Sequence, residues 1–334
     1  MNNADHFVGI DLGGTKILTA LVNRAGQIVA EDYRKTRAKR GLDSVLDRIV
    51  ESVGAVYEAA QIDPTAAARW VRAVGIGAPG PVESEAGILT SPPNLPGWQQ
   101  VPLRALMEDR LGLPTVLDND ANAAALGEFR FGAGRGSQQM LYVTVSTGIG
   151  AGFVLNGALY RGVDGAAGEV GHMTIVPGGP YCGCGNQGCL EAVSSGTAIA
   201  RQGREVLARD ASRTLAEMAA GDPESVTAEM VAEAARSADR EAGRIIAEAM
   251  DYLGIGIANL VNIFNPDLVV IGGGLTKMGA ALFDPVRSGI RRRSVPVAAQ
   301  RVQVVLAELG DRVGVIGAAA IAMEASAAVG QMGE

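Results

Sequence analysis

Cysteine, histidine and aromatic residues are scarce: the 334 residues carry three cysteines, two histidines and 4% aromatics. Three thiols cannot all pair within one chain, which excludes the disulfide framework of small extracellular domains. Positive charge is also short, at 29 Lys and Arg against 36 Asp and Glu, a net charge of −7. Nonspecific attraction to nucleic acid or to anionic lipid is therefore not expected. Two basic runs, "RKTRAK" (34–39) and "RRR" (291–293), read as solvated faces. No charged segment followed by an apolar run and a cleavage site opens the sequence, so no secretory signal is visible and a cytoplasmic location is expected. The most apolar stretch, "YLGIGIANLVNIFNPDLVVIGGGL" (252–275), is interrupted by asparagines, a proline and an aspartate. It reads as helix, turn and strand rather than as a membrane span. There is no G-x-x-x-x-G-K-[ST], which excludes a P-loop. "GIGAPG" (75–80) matches G-x-G-x-x-G, but the turn-rich "PVESEAGILTSPPNLPG" after it opens no helix on which a pyrophosphate could rest. That segment reads as a strand end and a loop bordering a pocket.

What is present is apolar and small. The length fits two domains, 48% of the residues are hydrophobic, and the abundant glycine and alanine favour closely packed helices. "FVGIDLGGTKILTALVN" (7–23) has the pattern of a β-hairpin around a glycine turn, and "LYVTVSTGIGAGFVLNGALY" (141–160) repeats the plan. Ser146, Thr147, Gly148 and Gly150 stand in the second where Asp11, Gly13, Gly14 and Thr15 stand in the first. Mixed helical and strand segments follow each, so the chain reads as two related halves facing across a cleft. A third turn, "IGGG" (271–274), ends the strand "DLVVI". Glycine turns flanked by hydroxyls let backbone N–H groups approach phosphate oxygens, although each could be an ordinary hairpin turn using positive φ. Together they point to a nucleotide site, with Asp11 able to accept from a metal-bound water or merely to cap its turn.

All three cysteines fall in "CGCGNQGCL" (182–190), ten residues after His172; the other histidine, His6, reads as part of a polar N-terminal tail. Cys182, Cys184, Cys189 and His172 make a Cys₃His set that closes a tetrahedral, structural zinc site, with three buried thiols as the alternative. Gly183, Gly185 and Gly188 suit the tight turns such a loop needs. In "DNDANAAALGE" (118–128) a strand gives way to a helix at Asp118, Asn119 and Asp120. One of the three caps the helix, and one carboxylate could point out of the strand end to accept a proton from a substrate hydroxyl. The residues alone leave Asp118 and Asp120 open. Glu169 and Glu191 flank the cysteine loop as acceptors for a polyhydroxylated ligand or as exposed solubilising groups, and Glu169 lies at i, i+3 to His172.

These motifs in order, "DLGGTK" (11–16), "GAPGPV" (77–82), "PNLPGW" (93–98), "DNDANAAALGE", "STGIGAG" (146–152), "GEVGH" (168–172), "CGCGNQGCLE" (182–191) and "VIGGG" (270–274), resemble the ROK family of sugar kinases and repressors along nearly the whole chain. The resemblance implies an α/β, actin-like, hexokinase-type (ribonuclease H-like) duplicated fold. It implies an N-terminal domain over 1–118, a larger domain over 119–310, and a C-terminal helix within 311–334 that packs back on the first domain and ends in a mobile tail. Asp120 is then the general base toward a sugar hydroxyl. Asn94, Asn119, Glu169, His172 and Glu191 hold the other hydroxyls, and His172 also binds zinc. Asp11, Gly13, Gly14, Thr15, Lys16, Thr147, Gly148 and Gly150 meet the phosphates of MgATP, and Gly273 and Gly274 meet the adenosine. The motif set looks most like kinases that phosphorylate glucose at C6 in carbohydrate metabolism. Fructose, mannose, N-acetylmannosamine and N-acetylglucosamine are the alternatives, and a dimer or tetramer is implied. A sugar-sensing repressor of this family would need a DNA-binding domain ahead of "GIDLGGT", for which the first fifteen residues leave no room.

Overall fold

The computed structural model describes residues 6–331. The strands among these are β1 (His6–Leu12), β2 (Lys16–Asn23), β3 (Ile28–Lys35), β4 (Val71–Ala78), β5 (Val82–Glu83), β6 (Ile88–Leu89), β7 (Thr115–Asn119), β8 (Gln139–Val145), β9 (Ile149–Leu155), β10 (Ala158–Tyr160), β11 (Leu268–Gly272) and β12 (Gln303–Leu306). The α-helices are α1 (Leu42–Ala59), α2 (Leu103–Leu111), α3 (Asp120–Phe131), α4 (Leu190–Ser194), α5 (Gly196–Leu207), α6 (Arg213–Met218), α7 (Ala228–Arg236), α8 (Arg240–Phe264), α9 (Ala280–Arg293), α10 (Pro296–Arg301) and α11 (Val313–Gln331). His6 opens β1, opposite Asn23 of β2, so it belongs to the sheet and not to an N-terminal tail. The expected mobile tail lies at the edge of, and beyond, the described residues. No helix among the described residues is long and apolar enough to cross a membrane.

The chain divides into two compact units, one made of residues 6–138, 152–168 and 307–331 and the other of 139–151 and 169–306. Two five-stranded sheets repeat one plan, with orders β3-β2-β1-β4-β7 and β10-β9-β8-β11-β12. In the first, β1 runs antiparallel to β2 and parallel to β4, which in turn runs parallel to β7. In the second, β8, β11 and β12 are parallel neighbours, and β9 pairs antiparallel with β10. The hairpins read from the sequence thus begin each sheet. The "GIGAPG" segment forms the end of β4 and a loop leading to β5, with no helix after it. The two basic runs diverge. Arg292 and Arg293 pair with Asp251 on the surface, whereas Arg34 binds Asp32 and Glu51.

In the first unit one face of the sheet buries Val8, Ile10, Leu21 and Ile76 against Val45, Ile49 and Val53 of α1. The opposite face buries Phe7, Ala20, Val22 and Ala73 against Val315, Ile316, Ala319 and Ala322 of α11. The second interface is unusually close. A Cβ placed on Gly75 of β4 would lie 1.8 Å from the carbonyl oxygen of Ala318, and one on Gly9 of β1 would lie 2.0 Å from that of Val315. Gly317 approaches Ala123 of α3 in the same way, with a Cβ 1.9 Å from its carbonyl oxygen. Alanine and glycine therefore let a helix backbone rest directly on the sheet, and dispersion attraction between the two backbones takes the place of packing by larger side chains. Gly75→Ala is expected to destabilise the protein by about 3 kcal/mol or more, the upper range of overpacking costs, read as a lower midpoint in urea. An unchanged midpoint would show that α11 moves away without cost.

Candidate active site

Sheet register brings chemistry to the carboxyl ends of the parallel strands. Asp11 of β1 pairs with Gly77 of β4, and Gly77 with Asp118 of β7, so the two aspartates stand at one level two strands apart. Such strand ends are where open α/β sheets bind ligands. The β7–α3 junction assigns its three polar residues separate tasks. Asn119 is the N-cap, its Oδ1 accepting the N–H of Ala121 at 2.8 Å and of Asn122 at 3.3 Å. Asp118 is 1% exposed and is held by four donors. These are Arg161 Nε at 2.6 Å, the Asn119 N–H at 2.8 Å, Asn122 Nδ2 at 2.9 Å and Ser84 Oγ at 3.3 Å. A buried carboxylate persists only when charge and hydrogen bonds compensate its lost hydration, and here both do. Asp120, in the first helical turn, is exposed, and its Oδ1 accepts the Ala121 N–H at 2.8 Å. Of the two carboxylates, Asp120 is therefore the accessible one.

The first glycine turn closes with the Gly13 N–H donating to the Lys16 carbonyl at 2.8 Å. Neither Gly13 nor Gly14 uses positive φ. What the turn requires is the missing side chain: a Cβ on Gly14 would come within 2.4 Å of the Asn94 carbonyl oxygen. Thr15 follows, its carbonyl accepting the Thr36 N–H at 2.9 Å. Lys16 Nζ lies 3.5 Å from Asp11 Oδ2, and the Asp11 side chain is 18% exposed. Burial pushes the Asp11 carboxyl above its ordinary value of 3.8, with Lys16 pulling the other way. The same carboxylate abuts Gly314 in the first turn of α11, where a Cβ would stand 2.8 Å from its Cγ.

In the second unit four ligand atoms converge: the ring nitrogen of His172 and the thiol sulfurs of Cys182, Cys184 and Cys189 lie within 4.8 Å of one another. His172 Nδ1 is 3.6 Å from Cys182 Sγ, and Cys184 Sγ is 3.7 Å from Cys189 Sγ. Tetrahedral zinc with its usual bond lengths sets about 3.6 Å between nitrogen and sulfur and about 3.8 Å between sulfurs. The set fits zinc. Gly185 and Gly188, at φ 92° and 72°, supply left-handed turns in the loop, whereas Gly183 does not. Glu169 and His172 lie at i, i+3 around a short 3-10 turn, with His172 Nε2 3.7 Å from Glu169 Oε2. One ring nitrogen thus faces the thiols and the other faces away toward a carboxylate.

Glu191 has a second contact that sequence reasoning did not anticipate. Its Oε2 accepts the Ile149 N–H at 2.9 Å and leaves no space for a Cβ on Gly148, which would stand 2.4 Å away. The carboxylate therefore fixes the turn carrying Thr147, Gly148 and Gly150, while its residue lies in the first turn of α4, two residues after Cys189. The Ser146 and Thr147 carbonyls accept the N–H groups of Gly196 and Thr197 at 2.8 and 3.2 Å, anchoring the turn to the start of α5. Gly273, at φ 89°, brings the third turn against β8, with a Cβ 2.4 Å from the Val145 carbonyl oxygen. Gly274, Leu275, Lys277 and Met278 then line a cavity of about 180 Å³ with Ala228, Ala232 and Arg236. The two turns of this unit are hence adjacent. Sequence reasoning also missed Arg161 and Ser84; an arginine heading a glycine-rich loop was the only available signal.

Two sheets of one order, each opening with a glycine-turned hairpin, define an actin-like, hexokinase-type duplicated α/β fold. The sequence matches the ROK family over residues 7–325, and the chain belongs to that family. A glucokinase of Thermotoga maritima is 40% identical over 317 residues, covering 95% of this chain and 97% of that protein. A xylose repressor of Caldicellulosiruptor bescii is 33% identical, covering 94% of this chain and 77% of that protein. The crystal structure of a ROK family glucokinase from Streptomyces griseus in complex with glucose and AMPPNP superposes with a TM-score of 0.80 at 35% identity, covering 96% of this chain and 99% of that one.

The burial of Asp11 has a consequence for pH. Its native carboxyl holds a proton to higher pH than the unfolded chain does, so its contribution to stability falls as pH rises from the unfolded value toward the native one. Asp11→Asn removes that charge at nearly constant shape. The variant is expected to melt a few degrees above the wild type at pH 7 and to lose the advantage near pH 3, where Asp11 is protonated in both states. A lower melting point at pH 7 would show that the Lys16 pair outweighs burial.

Proposed function

We propose that the chain is an ATP-dependent glucokinase that converts glucose and ATP to glucose 6-phosphate and ADP. The observation that carries this reading is the β7–α3 junction. Asn119 is spent on the cap and Asp118 on Arg161, which leaves Asp120 as the exposed carboxylate at a strand end of a chain 40% identical to a glucokinase. Asp120 accepts the proton of the C6 hydroxyl as that oxygen attacks the γ-phosphorus, and the bond from the γ-phosphorus to the β,γ-bridging oxygen breaks to release ADP. The first helical turn fixes Asp120, so little orientational freedom is lost on reaching the transition state.

Asn94, Asn119, Glu169, His172 and Glu191 are assigned to the remaining hydroxyls. Asp11, Gly13, Gly14, Thr15, Lys16, Thr147, Gly148 and Gly150 are assigned to the phosphates, where backbone N–H groups and a lysine offer donors. The apolar cavity beside Gly274 suits the adenosine. Magnesium bound with ATP neutralises phosphate charge, and Asp11 is placed to accept from its water shell. His172, Cys182, Cys184 and Cys189 hold structural zinc, which fixes the ring of His172 much as outer-shell groups orient metal ligands. The protein then acts in the cytoplasm, where both substrates occur, and self-association as a dimer or tetramer accords with the family resemblance. Identity of 40% to the glucokinase against 33% to the repressor favours the enzyme over a sugar-responsive regulator.

ADP release from MgATP, measured against glucose, mannose, fructose and the two N-acetylated hexosamines with a no-sugar control, is expected to be led by glucose. Release led by another sugar would correct the substrate, and none at all would remove the kinase reading. Asp120→Asn is expected to lower kcat at least about a hundredfold with glucose affinity kept; normal turnover would move the base elsewhere. The purified protein is expected to carry about one zinc per chain. Chelation should lower Tm and speed hydrogen exchange at the Ile149 amide, because Glu191 ties that amide to the helix following the loop. Exchange that stays unchanged would uncouple the zinc loop from the glycine turn.

A further inference from the structure

The tip of the cysteine loop is open to solvent. Residues 183–187 form a continuous exposed run, and Cys184 lies within it, whereas Cys182 and Cys189 are buried. We propose that Cys184 and Cys189 form an oxidation site, at which a hydroperoxide joins their sulfurs in a disulfide and thereby expels the bound metal. The two sulfurs stand 3.7 Å apart, against about 2.05 Å in a disulfide, so a short movement completes the bond. Cys182 is drawn elsewhere. Its Sγ lies 3.6 Å from His172 Nδ1 and 4.0 Å from Glu191 Oε1.

The backbone decides which of the two partners moves. Cys189 forms an antiparallel bridge with Thr174, and the Leu190 N–H after it donates to the Met173 carbonyl at 2.8 Å. Before it, Gly188 is packed so closely that a Cβ would stand 1.7 Å from the Val176 carbonyl oxygen. Cys184 instead sits in a turn closed only by the Gly185 N–H on the Cys182 carbonyl at 3.0 Å and the Cys182 N–H on the Asn186 carbonyl at 2.8 Å. Among the described residues, a Cβ on Gly183 or Gly185 would meet nothing within 4 Å, so the tip has room to carry Cys184 toward a fixed Cys189.

The reaction class follows from exposure and proximity. A thiolate is the nucleophile toward peroxide, and metal coordination removes the thiol proton outright. With hydrogen peroxide, the exposed Cys184 thiolate takes one oxygen, the O–O bond breaks, and Cys184 sulfenic acid and hydroxide form. The Cys189 thiolate then attacks the Cys184 sulfur; the S–S bond forms, the S–O bond breaks and a second hydroxide leaves. Two electrons pass from the two thiolates to the peroxide. His172 and Cys182 remain as two donors where a closed tetrahedral site needs four, so the metal is lost. The inference rests on the zinc reading above for the release of metal but not for the disulfide itself.

The test treats the purified full chain, its zinc content determined beforehand, with hydrogen peroxide. Free thiols are then alkylated, the cysteine peptide is fragmented in a mass spectrometer, and released zinc is followed with a metallochromic dye. The expected product has a Cys184–Cys189 disulfide, about 2 Da lighter than the two thiols, with the alkyl label on Cys182 alone. It is expected to form in step with release of about one zinc per chain, and dithiothreitol with added zinc should reverse both. Hydrogen exchange at the Ile149 amide should rise with oxidation. Cys184→Ser is expected to release metal at least about tenfold more slowly at equal peroxide; should that variant fail to fold, the wild-type map decides. A disulfide that includes Cys182, bridges between chains, or oxidation to sulfinic acid with no disulfide would overturn the proposal. Zinc missing from the untreated protein would remove the zinc reading, and the map would then support or overturn the oxidation site by itself.

Discussion

The buried carboxylate of Asp118 governs the end of β7 and, through it, the start of α3. Its charge is neutralised by Arg161, 43 residues further along the chain, and its remaining lone pairs are taken by donors from three places. Removing Arg161 would leave a buried charge uncompensated, so the ends of β7 and β10 are committed to a single arrangement, with the loop bearing Ser84 adding a further donor. Asn119 and Asp120 inherit their directions from that arrangement. The cap is satisfied by the amide oxygen of Asn119, and the next carboxylate, Asp120, is exposed.

The second unit depends on a comparable economy. Glu191 lies in the first turn of α4, two residues after the last cysteine, and accepts from the amide of Ile149, so one carboxylate joins the metal-ligand loop to the glycine turn. The histidine ring is shared in the same manner, one nitrogen toward sulfur and the other toward Glu169. The metal-ligand set, the groups assigned to sugar and the backbone assigned to phosphate in this unit are thereby mechanically connected, although the residues are far apart in sequence.

Much of the fold was legible because it is local. Alternation of apolar residues around "DLGG" and "STGIG" marked the repeated hairpins, since a strand's period of two is printed in any window of six or seven residues. The helix at Asp120 was legible from three capping residues, Asp118, Asn119 and Asp120, before an alanine run, and the ligand set from four rare residues within eighteen positions. Other features were less so. His6 looked like tail because a strand's first residue carries no periodic signal, yet it pairs across β1 and β2. An ordinary hairpin turn using positive φ was the alternative reading of Gly13 and Gly14; neither has positive φ, and Gly14 is required by the close backbone of Asn94. The basic run at 34–39 looked like one solvated face and instead divides between an ion-pair network and a cavity.

The sequence by itself determined the strand-turn-strand repeats, the start of a helix after β7, the thiol and imidazole donors, and the family to which the chain belongs, because each depends on residue type and spacing along one stretch. Only the tertiary structure showed that Asp118 is buried against an arginine 43 positions away while Asp120 is exposed. It also showed that Glu191 serves the glycine turn and that Arg37, Lys39 and Arg40 border one cavity with Gly14 and Asn94. Both outcomes arise from segments brought together by sheet register and helix packing, and contact between distant segments leaves no period for a single sequence to display.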